Sequence, residues 1–227
     1  MLKEIFAITP ADEAGQLSSQ RLLPRIAPRL PATGVRVLDL GCGDGRSFDW
    51  FQRSFTQFSW TGLDIEDSPE VRSRRRQDCT FQSYNGVDIP FPDQSFDVVF
   101  SNQVFEHVRH PERLLAEVRR VLSPGGLFVG SVSYLEPYHS YSLFNFTPYG
   151  WYQINQASGL VPELMAAGID ALSLIQRSID RQVEERSWWT LSPLNQQIVA
   201  DPALTIQEKN YKMLMYAGHI VFVSRKP

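Results

Sequence analysis

The run Val37-Leu38-Asp39-Leu40-Gly41-Cys42-Gly43-Asp44-Gly45-Arg46 places a carboxylate at the end of an apolar stretch and three glycines at alternate positions after it. Glycines at such a turn let backbone approach a ligand where any Cβ would collide. The spacing is not the G-x-G-x-x-G that aims helix N–H groups at a pyrophosphate, and Asp39 would repel such a phosphate pair. A carboxylate beside a glycine turn suits a ligand that carries positive charge, such as an ammonium or a sulfonium.

Further along, Glu106, His107 and His110 invite a metal reading. Two histidines and one acid without a fourth partner are common on solvated helices, so no metal is expected. His107 titrates near neutrality and suits either a general base for a hydroxyl or amine, or a structural histidine at a helix start; His139 has the same two readings. The run Arg72-Ser73-Arg74-Arg75-Arg76 reads as a solvated face or a hold for a phosphate-bearing substrate, and Trp188-Trp189 as a lid anchor, an interface contact or a stacking platform. Cys42 and Cys79 are too few for a disulfide scaffold, and neither is the expected nucleophile.

The elements that must position these groups alternate between short β-rich runs and helical segments. VRVLDL is followed by SFDWFQRSF and then FSWTGLDI, a βαβ signature. FDVVFSNQ is a near-continuous apolar run, as in a strand covered on both faces, and PERLLAEVRRVL sets Leu114, Leu115, Val118, Val121 and Leu122 on one helical face with Pro111 in its first turn. The pair Gly125-Gly126 ends that helix and leads into LFVGSVSYL, a fifth strand. Beyond it, a helix is expected from Thr147 and Pro148, a strand over ALSLIQRSI and a terminal strand over HIVFVSRKP.

A chain of 227 residues with 22 Lys and Arg against 25 Asp and Glu, a net charge of -3, has no global positive field, so nucleic acid and anionic membranes are not expected partners. The first residues lack the apolar stretch of a signal peptide and no window approaches a membrane span, which points to a cytoplasmic protein. Residues 1–227 read as a single domain with a cofactor-binding core over 34–135. Residues 1–33, 134–146 and 180–210 fall outside the alternating pattern and read as segments that cover substrate at the carboxyl edge of the strands.

The glycine run resembles motif I of the class I S-adenosylmethionine-dependent methyltransferases. Asn85-Gly86-Val87-Asp88-Ile89-Pro90-Phe91-Pro92-Asp93-Gln94-Ser95-Phe96-Asp97 is similar to the passage between strands three and four of that family, and Ser101-Asn102-Gln103-Val104-Phe105-Glu106-His107-Val108 is similar to a passage of its type-11, ubiquinone-biosynthesis-like branch. The resemblance implies a Rossmann-like three-layer α/β sandwich whose seven-stranded sheet is mostly parallel, with the last strand antiparallel. It implies binding of S-adenosyl-L-methionine, with S-adenosyl-L-homocysteine as product, by Asp39, Gly41, Cys42, Gly43, Gly45, Asp64, Ile65, Asn85, Gly86, Asp88, Asn102 and Gln103.

By that resemblance Asp64, 19 residues past Gly45, accepts from the ribose hydroxyls, and Ile65 packs on the adenine. The family's adenine-recognising acid falls on Asn85, with Asp88 as the alternative ligand. Glu106, His107 and His139 are the expected catalytic residues, placed near the transferable methyl and the acceptor. The aromatic passage Pro137–Gly150 resembles that of type-11 relatives and favours a small acceptor such as a sugar, quinone or secondary metabolite. The chain is expected as a monomer or homodimer. An NAD-dependent oxidoreductase and a non-catalytic partner subunit of the same fold are the alternatives.

Overall fold

The computed structural model describes residues 2–32, 34–179 and 186–227. A seven-stranded sheet has the order β3-β2-β1-β4-β5-β7-β6, formed by β1 (Val35–Leu40), β2 (Phe58–Ile65), β3 (Thr80–Tyr84), β4 (Phe96–Asn102), β5 (Leu122–Ser133), β6 (Val161–Ala167) and β7 (His219–Arg225). The first five strands are parallel, and β7 runs antiparallel to both β5 and β6.

Successive side chains of a strand point to opposite faces, so apolar runs such as VRVLDL feed two cores at once. Leu38, Leu40, Val99, Phe128 and Phe222 pack on one face beneath α5 (Pro111–Val121), α6 (Pro148–Ala157), α8 (Pro193–Ala200) and α9 (Ile206–Met215). Val35, Val37, Val98, Phe100 and Val129 pack on the other beneath α2 (Ser19–Ile26) and α3 (Phe48–Ser54). This is the expected three-layer arrangement. The remaining helices are α1 (Lys3–Ala7), α4 (Pro69–Arg72) and α7 (Ala171–Ile179). Among the described residues no helix is long and apolar enough to cross a membrane.

The expected strand over ALSLIQRSI is the helix α7. Asp170 organises its first turn, accepting from the Ser173 N–H (2.8 Å) and the Ser173 hydroxyl (3.1 Å), and Ser173 and Leu174 are the buried pair. The sixth strand is instead VPELMAA. Pro162 and Glu163 obscure its β signal, and both are tolerated because β6 is an edge strand that pairs with β7 alone. The α5 helix stops at Val121, so Ser123-Pro124-Gly125-Gly126 forms the irregular opening of β5 rather than a helix end; the register with β4 shifts there.

Candidate functional site

At the carboxyl ends of β1, β2 and β4 lies a cleft of about 780 Å³, within the size range of small-molecule and cofactor sites. Its floor is the loop after β1. Gly41 has φ +74°, and a Cβ there would stand 2.3 Å from Val104 Cγ2, so glycine is the residue that fits. Three groups hold the loop. The Gly41 N–H donates to the Leu63 carbonyl (2.7 Å), the Gly43 N–H to Asp64 Oδ2 (2.6 Å), and Arg74 donates through Nη2 to the Gly43 carbonyl (2.7 Å) while its guanidinium lies 3.8 Å over the Phe81 ring.

The basic run around Arg74 is thereby explained by partners within the chain: Arg76 pairs with Asp49 and Asp78, and Arg72 with Asp67. The buried Cys42 lies beside this loop, and burial pushes its thiol well above the ordinary range, keeping it neutral.

Asp39, at the end of β1, is 2% exposed and accepts a hydrogen bond from the Ser47 hydroxyl. Burial raises its carboxyl to about 7; the Ser47 bond opposes that rise and the nearby Asp64 adds to it. A carboxyl held up in the folded state contributes stability that is full below its ordinary value and is lost as pH rises through about 7. Desolvation also raises Asp64, against the hydrogen bonds it accepts from Gly43 and Ile65. Two carboxyls that burial pushes upward line one wall, and a cation beside them would favour their ionised forms.

The residues expected to bind cofactor divide in two. Asp39, Gly41, Cys42, Gly43, Asp64, Ile65, Asn85, Gly86, Asn102 and Gln103 line the cleft, and Ile65 is 41% exposed to it. Gly45 is buried, its absent Cβ facing Phe81 and Arg76. Asp88 turns aside, accepting from Asn85 Nδ2 (2.7 Å), and Asn85 Oδ1 itself accepts from the N–H groups of Val87 and Asp88.

Of the expected catalytic residues, His107 lines the cleft, and Glu106 and His139 stand behind it. Glu106 is fully buried and is pushed up to about 8 by that burial, against the hydrogen bond from Ser133. The His139 ring meets that of His107 edge to face at 5.5 Å.

A polar chain that motif reading missed runs beneath this wall. Gln103, in a left-handed conformation (φ 56°), directs its amide N–H at Glu106 Oε1 (2.9 Å) and Glu136 Oε2 (3.3 Å) and accepts from the Ser131 hydroxyl (2.9 Å). Asn102 Oδ1 accepts from Ser19 of α2 (2.5 Å) and lies 3.0 Å from the Ser131 hydroxyl. Glu136 Oε2 lies 3.1 Å from His219 Nε2; burial pushes the Glu136 carboxyl up, but His219, Ser133 and His139 together outweigh it and leave it lowered. No local pattern marks Glu136, because its partner His219 is on β7, far along the chain.

The segments expected to cover substrate have different places. Residues 134–146 reach the cleft through Ser140 and Tyr141 and carry Tyr138 and Tyr141, 83% and 77% exposed. The Glu106 carbonyl holds this segment, accepting from the N–H groups of Leu143 (2.6 Å) and Phe144 (3.1 Å). In residues 1–33, Leu22, Leu23 and Ile26 are buried in the core and Ser19 meets the polar chain. Residues 180–185 lie outside the described residues. From there on, Ser192 and Asn195 are buried on the Gln16 amide, and Trp189 lies beneath Arg177.

Residues 38–130 match a family described as "Methyltransferase domain". The chain is 34% identical over 125 residues to a fatty-acid O-methyltransferase of Mycolicibacterium smegmatis, covering 54% of this chain and 45% of that one. It is 36% identical over 105 residues to phthiotriol/phenolphthiotriol dimycocerosates methyltransferase 1 of Mycobacterium ulcerans, covering 45% and 39%. The chain thus spans less than half the length of these curated relatives. Among solved structures, phosphoethanolamine N-methyltransferase 2 of Haemonchus contortus, in complex with S-adenosyl-L-methionine, has a TM-score of 0.59 at 20% identity over 92% of this chain and 52% of that one. That likeness shows a shared fold.

Proposed function

We propose that this chain, a class I S-adenosylmethionine-dependent methyltransferase of the type-11 branch over its matched domain, methylates a small-molecule acceptor with an apolar or ring-bearing body. The observation that carries the reading is Asp39, a buried carboxylate beside a glycine turn, whose charge is restored by a cation and opposed by a pyrophosphate. S-adenosylmethionine, when bound, supplies a methyl carbon activated by a sulfonium with a neutral thioether as leaving group.

The residues fit that group. Asp39 faces its positive end, each oxygen of Asp64 keeps a lone pair for a ribose hydroxyl after accepting from Gly43 or Ile65, and the exposed Ile65 offers an apolar face to adenine. Asn102 and Gln103 border the methionine end, and His107 stands where an acceptor meets the methyl. Tyr141 and Ser140 form the acceptor side.

Little acid–base help is required for an in-line displacement. Holding the acceptor and the electrophilic carbon in near-attack geometry contributes on the order of 7–11 kcal/mol, so positioning is the main device. His107 is available as a base for a hydroxyl acceptor, with the His139 ring set edge to face against it. The acceptor's apolar character rests on Tyr141 in the cleft and on the exposed Tyr138, Leu143 and Phe144 of the same segment, and the relatives named for fatty acids and phthiotriol lipids agree with it.

The test is calorimetric titration of the full chain with S-adenosylmethionine and with NAD, then release of S-adenosylhomocysteine with long-chain carboxylic acids, quinols and sugars as acceptors. Binding of the first ligand alone, with turnover on an apolar acceptor, is expected. NAD binding in the cleft overturns the reading, and cofactor binding without turnover on any acceptor class leaves a partner subunit.

Asp39 adds a pH dependence. The cation prefers the ionised carboxylate, so affinity rises with pH to about 7 and levels off above it, with a proton released on binding below that value. Titrations in two buffers of different ionisation enthalpy read the proton directly. In Asp39→Asn the profile is flat, and a wild-type profile equally flat dismisses Asp39 as the cation's partner.

A further inference from the structure

Glu106, His107 and His139 come together at the wall of the cleft, each offering one ligand atom, and these atoms all lie within 4.8 Å of one another. The trio is not the one that chain spacing suggests: His139, from the segment after β5, stands where His110 was considered. Two of its atoms lack any hydrogen bond among the described residues. Glu106 Oε2 is buried on a side chain of 0% exposure, and His107 Nδ1 is buried as well. Buried polar atoms are nearly always satisfied, so a pair of unsatisfied ones in neighbouring residues asks for a partner from outside the chain.

The third member is already oriented. His139 Nδ1 contacts the Pro137 carbonyl at 3.4 Å and stands 3.6 Å from Glu136 Oε1, leaving Nε2 for another partner, and Glu136 in turn accepts from the Ser133 hydroxyl and lies 3.1 Å from His219 Nε2. A carboxylate behind a histidine is the arrangement that sets the tautomer and orientation of metal-bound imidazoles.

We infer that Glu106, His107 and His139 form a site for one divalent first-row transition ion, with Glu136 as the positioning residue of His139. Two imidazoles and one carboxylate suit Mn, Fe, Co or Zn; calcium and magnesium favour oxygen ligands throughout. Three protein ligands leave coordination positions open, and one of the three, His107, lines the cleft. Holding an acceptor oxygen there is a role that rests on the methyl-transfer reading, whereas the binding of the ion does not.

The experiment is titration of the chelator-stripped full chain, free of any histidine tag, with cobalt(II), read by visible d–d absorption and by calorimetry. One equivalent is expected to bind. His139→Ala, at a side chain 39% exposed and so tolerant of replacement, abolishes that equivalent. Glu136→Gln weakens it by ~10–100-fold. His110→Ala leaves it unchanged. Circular dichroism checks each fold, and S-adenosylmethionine titration of the same proteins reports the cofactor cleft separately. Absence of a stoichiometric site, or a site lost in His110→Ala and kept in His139→Ala, overturns the proposal. If S-adenosylmethionine still binds in that case, the methyl-transfer reading stands without it.

Discussion

Asp64→Ala weakens S-adenosylmethionine binding by ~10²-fold or more in calorimetric titration. The carboxylate caps β2 at the rim of the cleft and accepts from Gly43 N–H at 2.6 Å and Ile65 N–H at 2.8 Å. Each oxygen retains a lone pair, and two vicinal hydroxyls match that fork. Hydrogen bonds to a charged acceptor are worth ~1.5–3 kcal/mol each, so losing two removes at least ~3 kcal/mol, and each ~1.4 kcal/mol is a factor of ten. The Gly43 contact makes the loss larger, because Asp64 is also one of the groups that hold the glycine loop. Unchanged affinity in a folded Asp64→Ala protein removes this residue from the binding site.

Gly130→Ala carries the largest expected effect on stability, above ~4 kcal/mol, an exceptional value for one substitution. A Cβ at position 130 would stand 1.7 Å from the Ser101 carbonyl oxygen and 2.7 Å from its carbon, both backbone atoms of the neighbouring β4. No rotamer relieves such a contact, so the two central strands must part. With a total stability of ~5–15 kcal/mol, a domain of this kind loses most of its margin. Urea unfolding reads the change. A midpoint within the range of ordinary core substitutions shows that β4 and β5 separate more easily than their geometry indicates. The damage also reaches the site, because Asn102 and Ser131 face each other one residue beyond the clash.

How much of this was legible in the sequence depends on how local the cause is. VRVLDL and FSWTGLDI coincide with β1 and β2 because both faces of those strands are covered and the apolar run announces itself without reference to anything distant. The Asp39 turn is legible for a related reason, since its glycines answer to backbone geometry within a few residues. The strand over 161–167 and the helix over 171–179, where a strand is expected, were not legible: β6 is a strand because β7 pairs with it, and Pro162 and Glu163 argue against one locally.

The cluster around Glu106 was hidden in the same way. Glu106 and His107 are neighbours in the chain, but their third companion is His139, brought in when the Glu106 carbonyl binds Leu143 and Phe144. Arg74 read as a solvated charge until its partner, the Gly43 carbonyl, was in view. Residues 1–33 lack the alternating pattern of the body, yet Leu22, Leu23 and Ile26 complete one of its two cores.

The place of β7 between β5 and β6 bears on how the molecule is made. A ribosome releases β5 and β6 before β7, and until then neither has that neighbour: β5 shows one bare edge, and β6 has backbone partners in the N-terminal segment, Ile8 and Leu17, but none on the side that β7 takes. The sheet therefore closes from the inside, by insertion of the later strand between two that are already waiting. Bare edges of this kind invite strands from other chains. Until residues 219–225 are in place, this part of the sheet therefore keeps edges that another chain could pair with.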